Sequence, residues 1–393
     1  NRRWLWTAGA SVGLACLVRE NHVLLLLPVS VFLLFASQQS ERMTRVLFRR
    51  RVGAVIQLWV AAALMLVPSA ARNYQVGQEF VPVTAGGGEV FYLAFGEAAR
   101  PYYSAPSFVT GNPYLEHEDF RVEAERRLGR ELTRAESSRY WFREAIHWAT
   151  RDPARTVELT WQKAVCLFND YEVADGEDFH VTLRFVSLLK ILPTFGWIGG
   201  LGFCGAVLCC VRKAGAGGWV VPLMAASHAA TVILLYNFGR FRLGMMPLSI
   251  LMAAVCLVWL FDLIRETTWR SVTARVITLG IAITITYVML QPSSVGVPRG
   301  HKAGRSLIIA DLASRSGQTD LAIAELKSVL ELYREFPGTH PKVVRLVSRT
   351  HLQLGLAYEA REDFENATRE YRKALGLQNR HDFRIRILSV WAR

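Results

Sequence analysis

The sequence predicts a mostly α-helical protein: a polytopic α-helical membrane domain, an external α/β insertion, and a carboxy-terminal domain of paired helical repeats. Three observations predict this. The 393 residues are 51% hydrophobic and only 20% charged, and the mean hydropathy of +0.20 is too apolar for a water-soluble chain of this size. Apolar stretches recur at lengths that suit a bilayer. From Arg305 onward the chain becomes charged, helical and internally repetitive. The composition excludes intrinsic disorder, collagen-like sequence and a disulfide-dense secreted scaffold.

The clear candidates for spanning helices are 52–71, 185–211, 219–236, 245–264 and 274–290, judged against the usual threshold of about 18 apolar residues. The first region is less regular. Stretches 4–18 and 22–36 are about 15 residues each, or roughly 22 Å of helix, with Arg19-Glu20-Asn21 between them. They form either one long helix charged at its middle or two short spans meeting at a polar turn. Basic clusters decide for two: Arg2 and Arg3 precede the pair, and Arg42, Arg45, Arg49, Arg50 and Arg51 follow it. Both clusters belong on the cytoplasmic side, which requires an even number of crossings. Arg212, Lys213, Arg265, Arg270 and Arg275 then also fall inside. The scheme has about seven spans, with 1–71 holding the first three, 185–290 the last four, and 72–184 outside. After a linker over 291–303, the repeats of 304–393 are outside as well.

The net charge of +13 therefore reports orientation. The loop 37–51 carries five Arg against one Glu, whereas 72–184 carries 13 basic and 18 acidic residues, so the excess is concentrated on the inner face. No basic stripe with interleaved aromatics supports a nucleic-acid partner. Cys16, Cys166, Cys204, Cys209, Cys210 and Cys256 lack zinc or redox spacing and read as small apolar residues. The first apolar run has no small-residue cleavage site, so it does not read as a signal peptide.

The insertion opens with strand-like Glu79-Phe80-Val81-Pro82-Val83-Thr84 and the glycine run Gly86-Gly87-Gly88. The run lacks the Lys of a phosphate-binding P-loop and reads as a tight turn near a substrate pocket. Thr133-Arg134-Ala135-Glu136 is a capping box that starts a helix. Asp152-Pro153 supplies the N-cap and first-turn proline of the next. Tyr140, Trp141, Trp148, Trp161 and Phe168 on these helices serve either as packing and interfacial anchors or as sugar platforms. Asp170, Glu172, Asp175, Glu177 and Asp178 follow, with His180 nearby. Such oxygen-rich clusters can hold a divalent metal, but the spacing is not that of an EF-hand, and a solvated loop is the plainer reading. Glu172 or Asp175 is the candidate for a paired carboxylate in acid/base work.

At the carboxy terminus, Leu354-Gly355, Tyr358, Ala367, Tyr371 and Ala374-Leu375 have the spacing of a tetratricopeptide repeat over 348–381. Small residues there let two antiparallel helices approach, and the aromatics fill the groove. A looser copy occupies about 303–336, through Ala322 and Val329-Leu330. Two repeats are fewer than the three or so that usually stand alone, so they are expected to pack on the membrane domain, on 383–391, or on a protein partner.

Several stretches taken together resemble the GT-C fold membrane glycosyltransferases, in particular the family 39-like group of protein mannosyltransferases and aminoarabinose transferases. They are Gly13-Leu14-Ala15-Cys16-Leu17-Val18-Arg19-Glu20-Asn21 followed by a leucine run and Pro28, and Pro68-Ser69-Ala70-Ala71-Arg72-Asn73-Tyr74 followed by Phe80-Val81-Pro82-Val83 and Gly86-Gly87-Gly88. The third is Gly239-Arg240-Phe241-Arg242 ahead of Met246-Pro247. The resemblance covers about residues 1–290 and implies transfer of a sugar from a polyprenyl-phosphate carrier to an envelope acceptor on the outer face of a bacterial inner membrane. It implies that Arg19, Arg72, Arg240 and Arg242 meet the carrier phosphate and that Asn21, Asn73, Gly87, Glu172 and Asp175 line the substrate pocket. Cations at outer span ends suit that chemistry, because they can be desolvated there without crossing the bilayer; snorkelling at the interface is their plainer role. The sequence departs from the family in having Ser69 where a Trp is expected. It also lacks an acidic external loop ahead of Arg19, so the catalytic carboxylate and further spans are expected upstream of Asn1. The alternative is a membrane-anchored repeat scaffold without catalysis. No cofactor is expected beyond the divalent metal that the acidic cluster could hold.

Overall fold

The computed structural model describes residues 2–35, 45–77, 86–110, 114–175, 178–211, 218–265, 269–291, 299–334 and 341–377. The elements run α1 (Arg2–Val18), a 3-10 turn (Glu20–Leu25), α2 (Leu26–Phe35), α3 (Arg45–Gly77), α4 (Gly87–Phe95), α5 (Glu116–Leu128), α6 (Arg134–Arg151) and α7 (Pro153–Phe168). Then come α8 (Phe179–Phe185), α9 (Phe195–Val211), α10 (Val220–Ile233), a 3-10 turn (Gly239–Gly244), α11 (Met246–Arg265) and α12 (Trp269–Leu290). The chain ends in α13 (Arg299–Arg315), α14 (Thr319–Leu332), α15 (Pro341–Glu359) and α16 (Phe364–Gly376). Two compact units result. One comprises Asn1–Val173 with Pro193–Val295, and the other Ala174–Leu192 with Gly296–Arg393.

In the first unit the apolar helices meet through glycine. Gly9 and Gly13, one turn apart on α1, face α3 so closely that a Cβ would overlap the carbonyls of Leu58 and Ala62. On α9, Gly202 and Gly205 lie against Ser249 and Met252 of α11, and Gly200 against Thr286 of α12. Apolar helices that cannot gain by hiding from water associate in this way, through close van der Waals contact. Two helical runs are long and apolar enough to cross a membrane, Arg45–Gly77 and Ser187–Val211. Four shorter apolar ones are Glu20–Phe35, Val220–Ile233, Met246–Asp262 and Leu279–Met289. Ile56, Leu64 and Val67 of α3, Phe203 of α9, and Leu251, Val258 and Phe261 of α11 are exposed. Cys16, Cys166, Cys204 and Cys256 are buried and all six cysteines are free.

Among its described residues the insertion is built of helices joined by loops, with no strand, which corrects the α/β expectation. The strand-like 79–84 lies outside the described residues, and the pairing of the described insertion includes an isolated parallel bridge, Tyr102 to Asn237. The glycine run is not only a turn: Gly86 turns the chain, and Gly87 and Gly88 open α4. The reason is packing, because a Cβ at Gly88 would overlap the Ser138 carbonyl and the Gly88 N–H donates to Ser138 Oγ at 2.9 Å. Glycine thus lets the first turn of α4 lie flush on α6. The capping box forms in both directions, Thr133 N–H to Glu136 Oε2 at 2.9 Å and Glu136 N–H to Thr133 Oγ1 at 3.3 Å. Asp152 caps α7 through the Arg155 N–H at 3.0 Å. Trp141 is fully buried, with the rings of Tyr92, Phe120 and Phe108 at 4.6, 5.2 and 5.3 Å. It is a packing anchor, whereas Trp161 is exposed.

In the second unit α13–α14 and α15–α16 form two helical hairpins around Ala310, Ile323, Leu326, Leu354, Ala357, Ala367 and Tyr371. Both copies of the repeat thus contribute their small residues to one core. Gly317 turns α13 into α14 with φ +74°, a left-handed geometry that glycine adopts without strain. Within this unit Asp178 takes Arg305 Nε at 3.1 Å. Tyr371 lies on Gly355, where a Cβ would overlap its ring, and its hydroxyl donates to Glu359 Oε2 at 2.6 Å.

Gly355→Ala is expected to destabilise this unit by about 1–3 kcal/mol, the usual cost of overpacking. Gly304→Ala, where nothing lies within 4 Å of the added carbon, is expected to stabilise it by up to about 1 kcal/mol through helix propensity. Thermal unfolding of the two purified variants checks the pair, and equal melting points would contradict it.

Candidate functional site

The site grows from two irregular turns. At the end of α1, Arg19 adopts extended backbone, φ −149° and ψ 118°. Its N–H still closes the helix on the Ala15 carbonyl at 2.9 Å, while its own carbonyl accepts from the His22 N–H at 3.1 Å. The polar break 19–21 therefore ends one helix and starts the next turn, as two short apolar helices require. The second turn begins at Gly239, whose N–H donates to the Val173 carbonyl at 2.9 Å and where a Cβ would overlap Glu172 Oε2. A side chain there would have to displace the Glu172 carboxylate.

The two turns meet at Phe241. The Arg19 guanidinium lies 4.3 Å from the Phe241 ring centroid, and that of Arg240 lies 5.7 Å from the same ring. Arg240 also reaches the Phe238 ring at 5.8 Å. Cations over an aromatic face are held there electrostatically. His228 Nε2, as the N–H donor, bonds the Phe241 carbonyl at 2.9 Å, fixing the turn from α10.

Arg242 points the other way and is buried. It donates to Glu172 Oε1 at 3.1 Å, to the Cys166 carbonyl at 3.0 Å and to the Tyr171 carbonyl at 2.7 Å, and its guanidinium lies 4.7 Å from the Phe195 ring. A buried guanidinium is tolerated when its donors are answered in this way. Burial raises Glu172 above the ordinary carboxylate range, and the Arg242 charge opposes that rise. The pair ties the segment after α7 to the Gly239–Gly244 turn.

The remaining sequence candidates are dispersed. Asn21 Nδ2 reaches Thr231 Oγ1 at 3.5 Å, beside the cluster. Arg72 and Asn73 lie in the last turns of α3, with Arg72 exposed, and the described contacts do not bring them to Phe241. Gly87 faces open space. Asp175 belongs to the unit with the repeats, whereas Glu172 belongs to the unit with the apolar helices. Glu177 lies outside the described residues. Among the described residues no group of three or more His, Cys, Asp or Glu is placed to hold a metal ion.

Two buried ionisable groups in the insertion escaped the sequence reading. Lys163, fully buried on α7, donates to the Ala94 carbonyl at 2.8 Å and lies 3.8 Å from the Phe95 centroid. Burial pulls its amine down to about 7. Glu89, in the first turn of α4, is 5% exposed, and burial pushes its carboxyl up to about 7. It lines a cleft of 410 Å³ with Gly86, His117, Arg121, Arg134 and Ser137.

Comparison with known proteins adds one assignment. Residues 348–381 match the tetratricopeptide repeat model. The match covers the second hairpin, with the bounds its motif predicts. Tetratricopeptide repeats are protein-binding modules, which fits a protein partner for this unit. No curated protein and no solved structure matches the chain.

The Glu89 value carries a stability prediction. A carboxyl whose pKa is higher folded than unfolded stabilises most below its unfolded value and loses that contribution as pH rises through the folded one. Glu89→Gln is therefore expected to be nearly neutral at pH 4.5 and to stabilise by about 2–3 kcal/mol at pH 8. Thermal melting of both proteins at the two pH values tests this, and a pH-independent difference would contradict it.

Proposed function

We propose that the chain is part of a multi-pass membrane glycosyltransferase that takes a sugar from a polyprenyl-phosphate carrier at the outer face of a plasma membrane. The observation that carries this reading is the convergence of Arg19 and Arg240 on Phe241, in turns at the ends of apolar helices. Two guanidiniums held against one aromatic ring concentrate positive charge at the turn, and an anion complements it. A lipid phosphate supplies that charge at the depth where helices end. Arg242, engaged with Glu172 and two carbonyls, holds the turn in place, and the proposed carrier contact is assigned to Arg19 and Arg240 by their place in the turns.

Support for crossing the membrane comes from glycine-mediated packing and from the exposed apolar faces of α3, α9 and α11, which lipid covers at no cost and water does not. With the roughly seven crossings that the basic clusters require, the insertion and the repeats would lie outside. The resemblance to the family 39-like glycosyltransferases supplies the reaction class. An acceptor hydroxyl attacks the anomeric carbon as a carboxylate takes its proton, and the carrier phosphate leaves with its charge stabilised by the arginines. The tetratricopeptide match favours a second reading, a membrane-anchored scaffold that recruits envelope proteins without catalysis.

Arg19→Ala in the full enzyme is expected to lower transfer from a polyprenyl-linked donor at least about 100-fold, in the range seen when a transition-state charge partner is removed, while leaving the melting temperature unchanged. Unaltered turnover would remove Arg19 from the site. Absence of any transfer by the unaltered protein, together with capture of a defined partner by the repeats, would favour the scaffold.

A further inference from the structure

A second cationic feature lies at the opposite end of α1 from Arg19. Gly9 meets Leu58 and Gly13 meets Ala62, so α1 and α3 run parallel and their first turns lie side by side. A cleft of 820 Å³ opens there, lined by Leu5 of α1 and by Val46, Arg49, Arg50, Gly53 and Ala54 of α3. The α3 positions recur at the three-and-four spacing of one helix face. Arg51 stands off that face, buried, and donates to the Leu34 carbonyl at 2.8 Å. The basic run is thus divided: one arginine fastens α3 to α2, and two border the cleft.

Arg49 and Arg50 are exposed, and neither α1 nor α3 contains an Asp or Glu, so no carboxylate of these helices neutralises them. Val46, also exposed, joins Leu5 and Ala54 in an apolar wall beside the two guanidiniums. Nothing lies within 4 Å of where a Gly53 Cβ would stand, so the missing side chain leaves that stretch of the cleft open.

We propose that this cleft binds an acidic phospholipid of the inner leaflet, its phosphate on Arg49 and Arg50 and its acyl chain against Leu5, Val46 and Ala54. Guanidiniums suit phosphate because their planar fork offers it several donors at once, and basic pockets between spans on the inner side hold acidic headgroups. A free phosphate would leave the apolar wall uncovered, and a choline headgroup would bring its own cation toward the arginines. Arginines that only snorkel need water around their heads and no apolar hollow beside them. Leu5 and Arg19 are separated by about 21 Å of helix, so this lipid is distinct from the carrier assigned to Arg19 and Arg240. The inference rests on the membrane-crossing part of the proposed function and not on sugar transfer.

Native mass spectrometry of the full chain released from detergent micelles provides the test, with phosphatidylglycerol, phosphatidylcholine and inorganic phosphate as probes. Phosphatidylglycerol is expected to be retained at least about fivefold over phosphatidylcholine, as two arginine–headgroup contacts imply, and inorganic phosphate is expected not to displace it. Arg49→Gln combined with Arg50→Gln should abolish the preference. Gly53→Leu keeps both arginines but fills the cleft, so it should abolish the preference as well. The charge-matched pair Arg315→Gln and Arg334→Gln, at exposed sites in the repeat unit, should leave it intact. Equal retention of the two lipids, displacement by phosphate, a preference that survives either cleft variant in a folded protein, or one lost equally in the charge-matched control would each overturn the inference. With the chain still held in bilayers, those results leave the membrane reading standing. Recovery of the chain in the aqueous fraction without detergent would overturn both.

Discussion

The buried contact between Arg242 and Glu172 is the constraint on which the candidate site depends. Arg242 follows Phe241 directly, so fixing its guanidinium on Glu172 and on the carbonyls of Cys166 and Tyr171 fixes the neighbouring ring. Gly239 leaves room for the same contact, since a side chain there would push against the Glu172 carboxylate. A desolvated charge of this kind contributes little net stability compared with an apolar replacement, but it permits few alternative arrangements. Here it joins the polar insertion to a turn between apolar helices, and it presents Phe241 to Arg19.

The apolar helices impose the second constraint. Their outer faces carry large side chains and their inner faces carry glycine, an inversion of the pattern of a water-soluble core. Gly9, Gly13, Gly202 and Gly205 bring backbones together where bulky residues would hold them apart.

Much of this was legible in sequence, and the reasons differ by element. The capping box, the Asp152-Pro153 start and the tetratricopeptide spacing are local patterns whose chemistry acts within a few residues, and each formed where expected. The turn at Arg19 was legible because charge interrupts an apolar run. Arg242 could be seen as a candidate, but its clamp could not, because Glu172, Cys166 and Tyr171 are distant in sequence. Glu89 was missed for the same reason: one acid after a glycine run reads as solvated until α5 and α6 fold over it. Lys163 likewise sits on a helix whose buried face depends on Phe95. The glycines preceding Glu89 suggested a turn, and the helix they open is set by contact with Ser138.

The central claim is that the turns bearing Arg19 and Arg240 share the outer side of a membrane with the insertion, opposite the arginines that begin α3. In a background with all six cysteines replaced, single cysteines at Ser107, Arg240 and Arg49 can be probed in intact cells with a membrane-impermeant maleimide. The account predicts labelling at positions 107 and 240 from outside, and at position 49 only after the membrane is opened. Labelling of all three in intact cells, or of positions 107 and 240 only after opening, would contradict it.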